Sequence, residues 1–297
     1  MATLRELKGR IGSVKSSEKI TGAMKMISSA KMHKAEGILR RLTPFRDCVQ
    51  TIISNLLSSD AAVSSPLATP HASTARVALV AFGSDDGLCG AYNVNMFKYV
   101  VGRIAELRGE FGEGLGITVV PVGRKIGKIL ASYALKHPEL SVEPVEGIDS
   151  KTEGAAVKDF GLNFEEKFLG GRLDRVELVY MRYHSAGRQR PVSEEYLPVS
   201  AESLAGGGKA SGRPYLFEPD AMTVFGTVIP MYLLSKMQEA FGHNRASEQA
   251  ARVMAMQSAN DNAQKLLEQL QLEYNKLRQQ GITTELLDIV GGQVRDE

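Results

Sequence analysis

The sequence predicts an α/β protein in which long N- and C-terminal helices form an antiparallel coiled coil joined to a Rossmann-like α/β foot domain. Three observations carry this. Apolar residues recur at helical spacing over both ends, short apolar runs alternate with helical stretches in the middle, and a small, proline-bearing segment separates the first helix from that block.

The first helix is read from Thr3 to about Leu57, with Leu4, Leu7, Ile11, Val14, Ile20, Met24 and Ile27 mostly three or four apart. The last runs from about Ala221 to Val290, with Ala263, Leu266, Leu270, Tyr274 and Leu277 as its cleanest stripe. Both far exceed the roughly 11–12 residues of an ordinary helix. Helices that long need a partner along their length, and each terminus is the obvious partner of the other. The shape expected is a rod on a globular foot. About 55 residues span roughly 80 Å and about 70 roughly 105 Å, so the second helix outruns the first by some 20–25 Å. Its tip, from Gly281 to Val290, is then unpaired. Gly9, Gly12, Gly22 and Gly37 each disfavour the first helix by roughly 1 kcal/mol against Ala, and they suit close backbone approach at a tight seam. Pro44 is expected to kink the helix, the pattern resuming at Val49, Ile52, Ile53, Leu56 and Leu57.

The organisation predicted is a shaft helix over 1–57, a linker over 58–74, the foot over 75–214 and a second shaft helix over 215–297. In the foot, RVALVAF from Arg76 is a buried strand, followed by the turn GSDDGLCGAYN and a helix from Val94 to Leu107. Ile117–Gly123 is a second strand, Arg124–Tyr133 and Thr152–Leu169 are helices, and Arg175–Ser185 and Val192–Val199 are further strands. That order argues a mainly parallel sheet covered by helices, with an antiparallel edge. Ala201–Pro214 reads as a flexible loop, and Pro219 in YLFEPD suits an early position of the last helix.

Composition narrows the function classes. Hydrophobic residues make up 43% of the 297, enough for a core, while aromatics at 6% are few, which suits a chain that spends residues on helix seams. The net charge of +2 excludes a polycation, but eleven cations between Met1 and Arg46 face only Glu6, Glu18 and Glu36. That bias reads either as a solvated face or as a surface for an acidic partner. Cys48 and Cys89 make no disulfide framework or metal site, and the five histidines are scattered, so no metal is expected. The N-terminus carries no secretory h-region and no apolar run approaches the ~18–20 residues of a membrane span, so a soluble chain is expected. The turn after the first strand sits where α/β proteins cradle phosphates. It lacks the Lys-Ser/Thr of a P-loop and the spacing of a dinucleotide fingerprint, and Asp85 and Asp86 would repel a phosphate. No G-x-S-x-G elbow is present. Met24, Met26, Met32, Met254 and Met256 suit seam packing or a surface that fits more than one partner shape.

The opening MATLRELKGRIGSVKSSEKITGAMKMISSAKMHKA, the turn GSDDGLCGAYN and the ending ASEQAARVMAMQSANDNAQKLLEQLQLEYNKLRQQGITTELLDIVGG resemble, in order, the gamma subunit of bacterial-type F-type ATP synthases. The resemblance covers the helical ends closely and the foot more loosely. It implies a non-catalytic central rotor shaft with no cofactor. Such a shaft turns inside a ring of three alpha and three beta subunits, its foot on the membrane c-subunit ring beside epsilon, and couples proton-driven rotation to the beta sites. Residue by residue, it implies that Met24 and Lys25 face an acidic loop of beta and that Arg252 supports that region. Arg278, Gln279 and Thr283 are implied to contact beta higher in the ring, and Tyr215 and Glu218 to face epsilon and the c ring. Gly281 and Asp86 depart from the residues usual in the family. The absence of a transit peptide and of a cysteine-bearing insertion implies the cytoplasmic face of a bacterial inner membrane. Two rivals stand on the residues alone: a nucleotide-dependent enzyme on the α/β block, and nucleic-acid binding by the basic first helix, which lacks a recognition motif.

Overall fold

The computed structural model describes residues 3–58, 63–200 and 216–293. The Ala201–Pro214 loop and Tyr215 lie outside them, as do four residues of the linker. The elements are α1 (Leu4–Leu57), β1 (Arg76–Phe82), α2 (Tyr92–Phe111), β2 (Gly116–Val122), α3 (Arg124–Ala134), β3 (Leu140–Val142), α4 (Ala155–Leu169), β4 (Arg175–Ser185), β5 (Arg188–Leu197) and α5 (Ala221–Gln293). The chain divides into two compact units. One holds Met1–Ser28 and Arg252–Glu297, the other Ser29–Ala251.

The larger unit is built on a five-stranded sheet of order β3-β2-β1-β4-β5. The first four strands are parallel and β5 is antiparallel to β4. β1 is apolar from Val77 to Phe82 because both of its faces are covered there. Val77, Leu79 and Ala81 meet Met96, Val100 and Ile104 of α2 and Ile126 and Leu130 of α3 in one core. Ala78, Val80 and Phe82 meet Phe160 and Phe164 of α4, Ile53 and Leu56 of α1 and Ile229, Leu233 and Phe241 of α5 in the other. β3, which the sequence reading left out, is three residues long and offers too short an apolar run to register. β5 begins and ends earlier than predicted, at Arg188 and Leu197, and its residues pass from exposed at Arg188 through half-covered at Pro191 to Glu195 to buried at Tyr196 and Leu197.

The segment after α1 is anchored rather than merely connecting. Ser65 caps a 3-10 turn over Pro66–Ala68, Leu67 is buried, and His71 stacks on Phe168 at 4.5 Å while bonding Asp174. α5 starts later than the placing of Pro219 implied. Pro219 precedes the helix, and Asp220 caps it through Thr223, accepting from the backbone N–H at 2.9 Å and from the hydroxyl at 2.7 Å. α1 continues as helix through Pro44. Within this unit α1 and α5 run antiparallel. Arg46 forks onto Glu239 at 3.0 and 3.2 Å, and a Cβ on Gly242 would lie 2.8 Å from Leu39 Cδ2. The close-approach glycine is therefore on α5. Gly9, Gly12 and Gly37 have nothing within 4 Å of a would-be Cβ, and only Gly22 of the four predicted meets a neighbour, Asn260.

In the smaller unit the two helix ends also pair antiparallel, with Asn260 Nδ2 donating to the Glu18 carbonyl at 2.8 Å and to Thr21 Oγ1 at 3.3 Å. The covered face of α1 here is Leu7, Ile11, Val14, Glu18, Thr21, Lys25 and Ser28, spaced alternately by four and three. Ile20 and Ile27, predicted for the seam, point away from it and are 60% and 56% exposed. Leu4 is exposed as well. The seam turns polar after Val14 because side chains such as Glu18 and Thr21 have Asn260 and Gln264 to bond across it. Leu270 is the last buried residue of α5; from Gln271 on, each described side chain is exposed or half-exposed.

Candidate partner-docking surfaces

The residues singled out in the sequence fall at three places. Met24 and Lys25 are half-buried in the smaller unit, Lys25 on the covered stripe and Met24 beside it. Arg252, in the same unit, is buried, which suits a supporting position rather than a projecting one. Arg278, Gln279 and Thr283 are exposed on the part of α5 beyond Leu270, with Thr283 Oγ1 bonded to the Gln279 carbonyl at 2.9 Å. Glu218 is exposed in the larger unit, immediately before Pro219 and the Asp220 cap. Tyr215 lies outside the described residues.

The sequence reading missed the outward face of α1. Ile20, Ile27 and Met26, which is 68% exposed, lie on that face of the smaller unit together with the exposed Lys15 and Lys19. Among the described residues those lysines form no ion pair, and neither do Arg5, Lys8 and Arg10. The signal was present: two heptad phases overlap in this stretch, and the polar one fills the seam while the apolar one is turned out. Apolar side chains among unneutralised cations suit a protein surface that is both apolar and acidic. A phosphate backbone would be met by cations alone. The end of α5 presents a second apolar surface, with Ile282, Leu286, Leu287 and Ile289 exposed.

The place where a nucleotide would bind is filled by the chain itself. Ligands of open α/β sheets sit beyond the carboxyl ends of the strands, where helix N-termini offer free N–H groups. Here Asp85, buried after β1, accepts from the Arg124 N–H at the start of α3 at 3.0 Å. Its other oxygen accepts from the Ser150 N–H at 3.0 Å and the Ser150 hydroxyl at 2.6 Å. Asp86 is held by Lys151 at 3.0 Å and faces Arg124 at 3.6 Å. A carboxylate thus takes the position of an anionic ligand and ties three loops together. Asp85 thereby bonds the first N–H of α3 rather than that of α2, the helix that directly follows its turn. Gly83 is packed so closely that an added Cβ would lie 2.5 Å from Ile126 Cβ, which leaves no cradle there. Among the described residues there is no cluster of His, Cys, Asp or Glu that could hold a metal, and no helix is long and apolar enough to cross a membrane.

Comparison with known proteins shows the family. A family model described as ATP synthase matches residues 3–294. The ATP synthase gamma chain of Bacteroides fragilis is 40% identical over 296 residues, which is 99% of this chain and 100% of that one. The ATP synthase gamma chain of Methylibium petroleiphilum is 33% identical over 302 residues, covering 98% of each chain. Among solved structures, a chain of the Euglena gracilis mitochondrial ATP synthase in its OSCP/F1/c-ring assembly shares the fold. Its TM-score is 0.63 at 22% identity, over 98% of this chain and 93% of that one. A rotor chain of the same synthase gives a TM-score of 0.58 at 20% identity, covering 94% of this chain and 98% of that one. The chain belongs to the ATP synthase family, among its gamma chains.

Proposed function

We propose that this chain is the central rotor shaft of an ATP synthase. It couples proton-driven rotation of a membrane c ring to the conformational cycling of three catalytic beta subunits, and it is not itself catalytic. The observation that carries this is the smaller unit. Two helices pair as far as Leu270, the last buried residue, and α5 then continues with Ile282, Leu286, Leu287 and Ile289 exposed. A lone apolar helix end needs a surrounding sleeve, which a ring of alpha and beta subunits supplies. The filled crevice at Asp85 supports a transmitting rather than a nucleotide-binding role for the α/β layer.

In this reading residues 1–57 and 215–297 form the shaft, 58–74 the linker and 75–214 the foot. Met24 and Lys25 meet an acidic loop of beta, joined by the outward Ile20, Met26 and Ile27. Arg252 supports them from within the helix pair, and Arg278, Gln279 and Thr283 meet beta higher in the ring. Tyr215 and Glu218 face epsilon and the c ring. The complex sits on the cytoplasmic face of a bacterial inner membrane, reached through its membrane sector rather than by this chain.

Reconstitution tests the proposal. The chain is mixed with alpha and beta subunits of the same source, and complex mass and ATP hydrolysis are measured. One copy of this chain per three beta subunits, with steady hydrolysis well above that of alpha and beta alone, is the expected result. No assembly and no change in hydrolysis would overturn it.

A further inference from the structure

The face that α5 lays on the sheet changes character along its length. From Phe225 to Phe241 it is mainly apolar, with Ile229, Leu233, Met237 and Ala240 fully buried; the buried Ser235 bonds within the helix and Lys236 Nζ reaches the Glu195 carbonyl at the edge strand. At the next turn it becomes polar while staying buried: Asn244 and Ser247 are both at 0% exposure. The reason lies in the sheet. β1 pairs with β4 only as far as Ala81 opposite Val179, yet β4 runs on to Ser185. Backbone groups of β4 beyond that point have lost β1 as a partner, and buried backbone groups need one. α5 supplies it. Ser247 Oγ donates to the Met181 carbonyl at 2.9 Å, and His243 Nδ1 accepts from the Tyr183 N–H at 3.3 Å. Asn244 Nδ2 donates to the carbonyl of Gly83, just past β1, at 3.0 Å, and its Oδ1 accepts from Tyr92 OH of α2 at 2.6 Å. Acceptance at Nδ1 places the imidazole proton on Nε2.

Apolar packing is non-directional, so by itself it resists sliding or turning of a helix weakly. Hydrogen bonds are directional, and a shift of one residue, about 1.5 Å along and 100° around the axis, would break all of these and leave buried polar groups unpaired. We propose that His243, Asn244 and Ser247 form a keyed seat that fixes the rotational phase and axial position of α5 on the sheet, making them the positioning residues through which a turning moment passes between the α/β layer and this helix. The proposal rests on the rotor reading above. Because β1, β4 and α2 are all engaged, the key grips the sheet at its centre.

The test is torsional. Complexes of the chain with alpha and beta subunits are built with the unaltered chain, Ser247→Ala, Asn244→Leu and the apolar control Phe241→Leu. Torsional stiffness is read from the angular fluctuation of a probe fixed to the α/β layer during arrest, alongside unloaded ATP hydrolysis. Ser247→Ala removes one hydroxyl and little volume, so it keeps the chain folded even where Asn244→Leu does not. The expected result is lower stiffness in the polar variants than in both the unaltered complex and Phe241→Leu, with unloaded hydrolysis retained. Polar variants as stiff as the unaltered complex, or no softer than Phe241→Leu, would overturn the keyed seat. An unaltered complex that does not assemble or rotate would instead overturn the rotor reading itself.

Discussion

A half-buried histidine and a buried carboxylate of the larger unit shape its behaviour in acid. Burial pushes His243 down to about 4, helped by the nearby Arg182 and Arg46 charges. An unfolded histidine titrates near ~6.5, so the unfolded state takes the proton first, and stability present above that pH is lost as pH falls toward 4. Glu177 is buried on β4, which alone would raise it, but bonds from Arg103 and Ser193 and the charge of Arg175 outweigh burial and hold it at about 2. Its contribution is present above the unfolded value of ~4.3 and is lost between there and pH 2. Acid denaturation is therefore expected in two limbs. His243→Gln, which keeps a neutral acceptor near the Tyr183 N–H, should flatten the upper limb, a change on the order of 3 kcal/mol across the window. Urea unfolding midpoints from pH 7 to 3 would show it; parallel curves for the variant and the unaltered chain would refute it.

At the scale of elements, glycines separate what a helix needs locally from what packing needs. Gly12 faces open space on α1, so Gly12→Ala should raise thermal stability by roughly 1 kcal/mol. Gly83→Ala should do the opposite, since its Cβ would lie 2.5 Å from Ile126 and disturb the turn that carries Asp85. Thermal melts of the two variants decide this by sign alone. The same contrast explains what the sequence made legible. β1, β2, β4, α3 and both terminal helices were readable because their apolar runs or periodicities are strong and their ends carry turn residues. β3 was not, being three residues added to a sheet edge by a register with β2 that only the folded sheet supplies. The α1 seam was misread past Val14, because an apolar phase through Ile20 and Ile27 competes with a polar phase through Glu18, Thr21 and Lys25. Only Asn260 and Gln264, about 240 residues away in sequence, decide between them. The proposed docking residues came from motif resemblance, which marks positions but not which way a helix is turned; hence Ile20 and Ile27 were assigned to the seam, and Met26 was named only within the methionine cluster.

For the whole molecule, the two units meet different demands. The larger buries two cores on either side of one sheet and stands on tertiary contacts from every element. The smaller has a single helix seam, closed near its end by Leu7 and Leu270, both buried. Beyond Leu270 no described side chain of the helix is fully buried, Tyr274 and Leu277 being half-covered, and its exposed Ile282, Leu286, Leu287 and Ile289 are available to a surrounding partner. Truncation separates the two roles. Ending the chain after Leu286 removes part of the partner-facing apolar surface and leaves the seam intact. Ending it at Leu270 also strips the helix just past the last buried seam residue, so α5 frays where it covers Leu7, since terminal turns lose their intrahelical partners. Assembly with alpha and beta subunits should fall less for the first truncation than for the second, read as the fraction of chain recovered in the complex at equal input. Helical content of the isolated chain should drop on heating earlier in the second than in the first. Equal loss of assembled complex in both would mean that the last residues, not the seam, hold the chain in its ring.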